Sequence, residues 1–206
     1  MTTLWICYDV AAARVPLDTA ITASFRTRYN SAAATKTASK LRCREFMCGR
    51  LAAHAALSGA GQETVETITN FPDGAPAAPA GFLLSISHSA SDAVAVAASS
   101  KNYLSVGVDI QESSTVSPST LAVIAPNALP FAGSGSDWPT AWFSAQEAAF
   151  KAFQPLTPLC RSLNDVRITA TGPNTWSAAA PGSDLQLLVS SLETNFGWLS
   201  LSILHK

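Results

Sequence analysis

The pattern of apolar and polar residues divides the chain into short strand segments separated by a few helices. Residues 39–61 carry apolar side chains at helical spacing and predict the longest helix, with Ser39 as a cap and a glycine pair at the end. A second helix is predicted around Glu147, ending before Pro155, and a short one within 16–30.

Strands are predicted where β-branched and aromatic residues cluster or alternate with polar ones. These segments are 3–10, 63–70, 82–89, 92–99, 103–110, 165–170, 175–180, 185–192 and 198–205. In the last segment, leucine and isoleucine at 199, 201 and 203 alternate with Ser200 and Ser202. That alternation predicts a sheet with its apolar face on the core and its serine face on the other side.

Two stretches rich in Pro, Gly and Ser interrupt the predicted strands and helices. Residues 71–81 read as a loop, and residues 113–140 as a mobile insert with one short helix near 119–125. Each side of a division near Ser105 then offers a helix and antiparallel strands. We therefore predict an α+β fold of two packed halves, 1–104 and 105–206. Clefts between such halves are common ligand sites.

Charge is scarce, which narrows the classes of function. Only 13% of the 206 residues are charged and the net charge is -1, so the basic stripe of a nucleic-acid binder is missing. The four cysteines show no metal-like spacing and are expected to be reduced thiols. We find no secretory leader pattern and no apolar run of membrane-spanning length, so a soluble cytoplasmic protein is expected.

Asp109 stands in a β-branched strand segment. It shares one strand face with Gln111, because side chains alternate along a strand. A carboxylate in an apolar setting needs a cation or hydrogen-bond donors, and Mg²⁺ is a suitable cation for oxygen ligands. The alternative is a strand-end Asp that accepts hydrogen bonds from turn amides.

Glu147 and Lys151 are four residues apart, so they lie on one face of the second main helix. They can face a reacting phosphate. They can also form an ordinary helix-stabilising ion pair, and Ser144 with Glu147 matches a capping box at a helix start.

His88 lies in "SISHS", at a strand boundary between hydroxyl groups. It can bind phosphate together with Ser87, or be a structural histidine; the elbow motif of serine hydrolases is missing. Arg42 and Arg50 are eight residues apart, about two helical turns, and so share roughly one side of the long helix. They suit phosphate binding or form a solvated basic face.

Four motifs follow one another in order: "RxREFxxGRxAAxxAL" from Arg42, "GxPxxPxGFxxSISHS" from Gly74, "VGVDIQ" from Val106 and "WFSxQEAAFKAF" from Trp142. In this order they closely resemble the 4′-phosphopantetheinyl transferase superfamily, of the Sfp type and nearest its enterobactin-synthetase subgroup. The resemblance implies a pseudo-dimer of two similar halves, each an antiparallel sheet packed with helices, with coenzyme A and Mg²⁺ at their interface.

The activity that the resemblance implies is transfer of the 4′-phosphopantetheine arm of coenzyme A to a serine of an acyl or peptidyl carrier protein, with release of adenosine 3′,5′-bisphosphate. By motif position, Asp109 and Glu147 are the metal-binding acids, and Gln111 can offer a third ligand. Glu147 is also the implied base for the carrier serine. Lys151 is implied to neutralise the pyrophosphate and the leaving group.

The resemblance also assigns the coenzyme A contacts of the first half. Ser87 and His88 resemble the phosphate-binding pair, and Arg42 and Arg50 resemble residues that bind the coenzyme A phosphates. The loop that borders the adenine is matched by Asp73, Gly74, Ala75 and Pro76.

Two residues depart from the pattern of the family. Gln111 stands where it usually has Glu, and Gln146 where it usually has Lys. One hypothesis is that the two charge losses compensate; the other is that Gln111 is tolerated and water completes the Mg²⁺ shell. The departures also leave open a silent coenzyme A-binding homologue. A metal-dependent phosphohydrolase is a more distant alternative.

The acceptor is left undetermined among the carriers of fatty-acid, polyketide and peptide synthases. Acceptor contacts are expected from the 113–140 insert and from exposed apolar residues such as Phe131. A monomer is expected, because the two halves suffice to complete one site. No nucleic-acid or membrane partner is expected.

Overall fold

The computed structural model describes residues 2–7, 10–29, 39–64, 66–126, 128 and 135–206, with the backbone alone for 2–7. The chain forms two compact units, Met1–Lys101 and Asn102–Lys206. Each contains an antiparallel sheet and helices, so the predicted α+β class is confirmed.

The first unit packs one long helix on a sheet. The elements of this unit are β1 (Thr2–Cys7), β2 (Val10–Pro16), α1 (Ala23–Tyr29), α2 (Lys40–Gly59), β3 (Phe82–His88) and β4 (Asp92–Ser99). The strand order in the sheet is β1-β2-β4-β3. Alanines dominate the buried residues of β2, β4 and α2. Small side chains on both sides let the helix lie close to the strands.

The second unit repeats this plan with one more strand. The elements of this unit are β5 (Tyr103–Gln111), α3 (Pro118–Ile124), α4 (Trp138–Phe153), a 3₁₀ turn (Leu163–Asp165), β6 (Arg167–Gly172), β7 (Thr175–Ala179), β8 (Leu187–Thr194) and β9 (Gly197–His205). The strand order in the sheet is β5-β9-β8-β7-β6. Helix α4 packs on this sheet over a core that combines alanines with Trp142, Phe153 and Trp176.

The start of α4 corrects one sequence interpretation. Helix α4 begins at Trp138, so Ser144 lies in its interior and the capping box of Ser144 with Glu147 is wrong. Asp137 occupies the cap position instead. It accepts hydrogen bonds from Thr140 Oγ1 at 2.6 Å and Trp198 Nε1 at 2.8 Å, which ties the helix start to β9. The predicted cap of α2 is confirmed, since Ser39 Oγ accepts from the backbone N–H of Arg42.

The predicted orientation of β9 is wrong. Ser200 and Ser202 are fully buried on the face that carries α4, whereas Leu199, Leu201 and Ile203 are half-buried on the other face. The reason is the small distance between helix and sheet. The helix presents alanines, and the strand opposite presents residues of similar size, so leucines would not fit between them.

Residues 63–70 are not a strand in the described part of the chain; Asn70 makes one isolated bridge to Pro76. Ile68 is 2% exposed, which explains the apolar pattern. However, its backbone N–H donates to Tyr29 Oη and its C=O accepts from Arg50 Nε. Side chains thus take the place of a neighbouring strand.

The predicted strand 3–10 is wrong at its end, because β1 ends at Cys7 and Val10 already belongs to the antiparallel β2, which was not predicted. The other predicted strands and helices match observed ones. Phe131 and most of residues 127–134 lie outside the described residues. No described helix has the length and apolarity to cross a membrane. Cys48 and Cys160 are buried, and no disulfide joins the cysteines whose side chains are described.

Candidate active site

The site in the second unit depends on how closely α4 approaches β5. Gly107 faces the helix, and a Cβ there would lie 2.0 Å from the carbonyl oxygen of Ala148. Side chains alternate along β5, so Asp109 is on the same face as Gly107. The close approach at Gly107 therefore sets Asp109 beside the stretch of α4 that carries Glu147 and Lys151, the neighbours of Ala148 and Ala152.

Asp109 is 2% exposed and is bonded at both carboxylate oxygens. Lys151 Nζ donates to Oδ1 at 2.7 Å, and Gln111 Nε2 donates to Oδ2 at 3.1 Å. The same ammonium donates to the backbone oxygen of Val108 at 3.2 Å. Burial makes this pairing strong, because water does not screen it as it screens a surface pair.

Glu147 completes the cluster. Its Oε2 lies 3.7 Å from Lys151 Nζ, the same nitrogen that lies 2.7 Å from Asp109 Oδ1. The two carboxylates therefore lie beside the same ammonium. Burial raises the pKa of Glu147; the Lys151 charge opposes that rise and the Asp109 charge adds to it. Two carboxylates thus share one cation in a poorly solvated place, an arrangement that favours a further positive charge.

The residues present suit a Mg²⁺ ion that binds together with a phosphate ligand. The described residues contain no group of three or more His, Cys, Asp or Glu able to hold a metal by themselves. Mg²⁺ takes oxygen ligands and commonly uses one or two carboxylates with substrate phosphates and waters. Asp109 and Glu147 supply that number. The amide nitrogen of Gln111 faces Asp109, so Gln111 orients this carboxylate in the present arrangement.

Gln146 has different hydrogen-bond partners from Gln111. It is 5% exposed, and its Nε2 donates to the backbone oxygens of Leu163 at 3.1 Å and Val166 at 3.0 Å. These bonds tie α4 to the 3₁₀ turn and the start of β6. A lysine ammonium could donate to the same two oxygens.

A second polar cluster lies in the first unit, where α2 starts beside the end of β3. Arg42 is largely exposed, and its Nη1 lies 2.7 Å from His88 Nε2 and 3.1 Å from Glu45 Oε2. The Arg42 nitrogen donates, so His88 Nε2 is an acceptor here. Glu45 Oε2 is 3.7 Å from that ring nitrogen. An accessible arginine and a histidine converge, as phosphate binding needs.

The other predicted phosphate residues have different surroundings. Ser87 is 7% exposed and points to the opposite face of β3 from His88, because neighbouring side chains alternate. Arg50 is 5% exposed, lies with its guanidinium carbon 4.5 Å from the centroid of the Phe46 ring, and donates to Ile68 and Asn70. Burial lowers the pKa of Arg50.

The predicted adenine loop is a tight turn. Asp73 Oδ1 accepts from the backbone N–H of Ala75 at 3.0 Å, and Gly74 has a φ of 91°, which favours glycine. The backbone N–H of Phe71 donates to the oxygen of Ala75 at 2.8 Å, closing the turn. The loop is thus preformed, as a ligand-contacting loop should be.

Three residues that shape these clusters were not predicted from the sequence. One is Gly107, although a glycine inside a strand signals close backbone approach. Glu45, three residues after Arg42, was a findable partner by helical spacing. Tyr29 carried no signal, because its contact with Ile68 joins residues far apart in sequence.

Comparison with known families agrees with part of this picture. Residues 30–98 match the family model described as the 4′-phosphopantetheinyl transferase N-terminal domain. The match supports the 4′-phosphopantetheinyl transferase superfamily, and with it a transferase that uses coenzyme A and a carrier protein. Asp109, Glu147 and Lys151 lie beyond the matched range. A search of curated proteins gives no match.

Proposed function

We propose that this protein transfers the 4′-phosphopantetheine arm of coenzyme A to a serine of an acyl or peptidyl carrier protein and releases adenosine 3′,5′-bisphosphate. One observation carries the proposal: Asp109 and Glu147 converge on the ammonium of Lys151 in a poorly solvated place. The family match in the first unit points to the same chemistry.

Glu147 is the proposed general base. The serine oxygen of the carrier attacks the phosphorus that bears the pantetheine arm, while its proton passes to a carboxylate oxygen of Glu147, directly or through one water. The bond from that phosphorus to the bridging oxygen breaks, and the oxygen leaves with its electron pair on adenosine 3′,5′-bisphosphate. Burial raises the pKa of Glu147, which strengthens it as a proton acceptor.

Lys151 is the proposed electrostatic partner of the leaving group. Its side chain is 24% exposed and has a flexible four-carbon stem, so the ammonium can move from Asp109 to a diphosphate oxygen. Asp109 and Glu147, with Gln111 beside them, would hold Mg²⁺. When bound, the ion supplies positive charge for the negative charge that spreads over the phosphate oxygens.

In the first unit, Arg42 and His88 are proposed to bind coenzyme A phosphate, and Asp73–Pro76 is proposed to border the adenine. Glu45 then releases Arg42 when phosphate binds, since both compete for the same guanidinium nitrogen. The direct phosphate contacts implied for Ser87 and Arg50, and the shared placement of coenzyme A between the halves, stay predictions. So do the Sfp-type subgroup, the monomeric state and the cytoplasmic location.

The test is to incubate the protein with coenzyme A, Mg²⁺ and apo carrier domains of fatty-acid, polyketide and peptide synthases, and to weigh the carriers. We expect one carrier to gain one phosphopantetheine. Glu147→Gln should lose nearly all transfer and stay folded, while Glu193→Gln, an exposed acid on β8, should transfer normally. Transfer at the wild-type rate by Glu147→Gln contradicts the assigned base.

A silent coenzyme A-binding homologue is the second candidate. The observation in its favour is that the amide nitrogen of Gln111, and not its oxygen, faces Asp109. Calorimetric titration with coenzyme A separates the two. Binding without a mass gain on any carrier supports the silent homologue, whereas a mass gain rules it out.

A further inference from the structure

The segment that leads into the predicted adenine loop is held by side chains from two helices. The backbone N–H of Ile68 donates to Tyr29 Oη of α1 at 3.1 Å, and its C=O accepts from Arg50 Nε of α2 at 3.0 Å. Another guanidinium nitrogen of Arg50 donates to Asn70 Oδ1. Both backbone polar groups of one buried residue are thus fixed, together with a side chain two positions on.

The side chains that do this are themselves fixed. Tyr29 is 1% exposed, and its hydroxyl forms a hydrogen bond with His54 Nε2 at 2.8 Å while it accepts from the backbone N–H of Ile68. The rings of Phe25, Phe46 and His54 pack around Tyr29, and Arg50 stacks on Phe46. Such enclosed hydrogen bonds give a rigid support, because the alternative is an unpaired buried group.

A short hairpin follows directly after Ile68 in the chain. The backbone N–H of Ala77 donates to the oxygen of Thr69, and the N–H of Phe71 donates to the oxygen of Ala75. Asn70 and Pro76 form a bridge between these two bonds. The hairpin 69–77 is therefore a small hydrogen-bonded unit that begins directly after Ile68, and its position follows that of Ile68 and Asn70.

We infer that Tyr29, Arg50 and Asn70 form a clamp of positioning residues that places the hairpin 69–77 against the nucleotide half of coenzyme A. This inference rests on the proposed function, in which Asp73–Pro76 borders the adenine. Arg50 acts here through the hairpin, since its guanidinium is buried and already donates to Ile68 and Asn70.

Two uncharged members of the clamp separate positioning from phosphate binding. Tyr29→Phe removes one hydroxyl, and Asn70→Ala removes one acceptor; neither changes the charge of the protein. We expect each to raise the KM for coenzyme A about tenfold, the factor that corresponds to one lost hydrogen bond of ordinary strength, with kcat within about twofold. Arg50→Lys should do the same, because a single ammonium cannot reproduce the planar fork.

The matched control is Val15→Ala. Val15 is 1% exposed on β2, so its truncation lowers the thermal midpoint of the same unit without removing a clamp hydrogen bond. Its KM should equal that of the wild type. Hydrogen exchange supplies a second readout: the amides of Ile68 and Ala77 should exchange faster in Tyr29→Phe than in Val15→Ala.

The combination of KM and exchange rate decides whether the clamp positions the hairpin. Faster exchange together with a raised KM supports the clamp. Faster exchange with an unchanged KM overturns it, as does a raised KM in Arg50→Lys alone, which would mean a phosphate contact. If the wild-type protein transfers nothing, the proposed function fails, and calorimetric titration with adenosine 3′,5′-bisphosphate then tests the clamp: tenfold weaker binding by Tyr29→Phe supports it, while equal binding or none by either protein overturns it.

Discussion

Replacing Gly107 with alanine would place a methyl group where helix α4 already lies. The new Cβ would sit 2.0 Å from the carbonyl oxygen of Ala148 and 2.9 Å from the backbone nitrogen of Ala152. Ordinary non-bonded separations start near 3.5 Å, so helix and strand have to separate by about 1.5 Å. The obstacle is backbone, so no side-chain rotation can relieve it.

The cost has two sources. Overpacking a tight core costs about 1–3 kcal/mol, and a buried ion pair that loses one partner costs about 3–5 kcal/mol. Separating α4 from β5 stretches the 2.7 Å contact of Lys151 with the buried Asp109, so both apply in part. We expect Gly107→Ala to lower the free energy of unfolding by about 4 kcal/mol, a large share of the usual total of about 5–15 kcal/mol.

Urea unfolding measures this loss, and the matched control is Gly135→Ala. A Cβ at Gly135 meets nothing within 4 Å, so that variant should stay within about 0.5 kcal/mol of the wild type. Where Gly107→Ala is still folded, its carrier-modifying kcat/KM should fall about 100-fold, because a misplacement of about 1 Å can cost that much.

A second substitution sharpens the test. Ala148→Gly removes the side chain of the residue that is struck but leaves its carbonyl oxygen, the atom nearest the new methyl group. The double variant should therefore be no more stable than Gly107→Ala alone. Rescue by Ala148→Gly, or a loss below about 0.5 kcal/mol in Gly107→Ala, would refute the argument that backbone contact at Gly107 sets the site.

Three further predictions concern electrostatics. Burial lowers the pKa of His54 to about 4, so the wild type should lose up to about 3 kcal/mol of stability through this group as the pH falls from about 6.5 to 4, and His54→Gln should lack that loss. Lys151→Met strips the ammonium from buried Asp109 and should cost about 3–5 kcal/mol without metal. Gln111→Glu and Gln146→Lys should change activity additively, since the two residues have separate partners.

Unfolding of the wild type and of His54→Gln at pH 7, 5.5 and 4 checks the first prediction. The carboxylate titrations common to both proteins cancel in the difference between their free energies of unfolding. If both free energies change equally with pH, the prediction is contradicted. The exposed Lys101→Met is the control for the second, and a cost similar to that of the control would mean that Asp109 does not need its ammonium. For the third, a double variant that restores activity beyond the sum would favour compensation between the two charge changes.

The predicted elements succeeded where the evidence was local. The long helix 39–61, its Ser39 cap and most strand segments follow from periodicity and from turn residues, which depend on near neighbours in the chain. The pairing of Glu147 with Lys151 follows from helical spacing in the same way. That Asp109 joins them was predicted from a resemblance in motif order, and the described geometry brings the three together.

The failure at residues 63–70 comes from partners far away in the sequence. Residues 63–70 alternate like a strand, yet Tyr29 and Arg50 occupy the hydrogen-bonding groups of Ile68. Arg50 shares helical spacing with Arg42, yet the fold surrounds its guanidinium with Phe46 and Asn70, and the phosphate contact implied by the resemblance stays a prediction. Neither arrangement can be read from a window of neighbouring residues.

The sequence by itself determined which segments are helix or strand, and which side chains share a face of each. Only the tertiary structure decided which face meets which partner. In β9 the alternation of leucine and serine is plain from the sequence, but the serines are buried because α4 approaches within backbone contact at Gly107, the partner of Ser202, and leaves room there only for small residues. Periodicity fixes which residues lie together, whereas the distance between packed elements selects the face, because that distance depends on both surfaces at once.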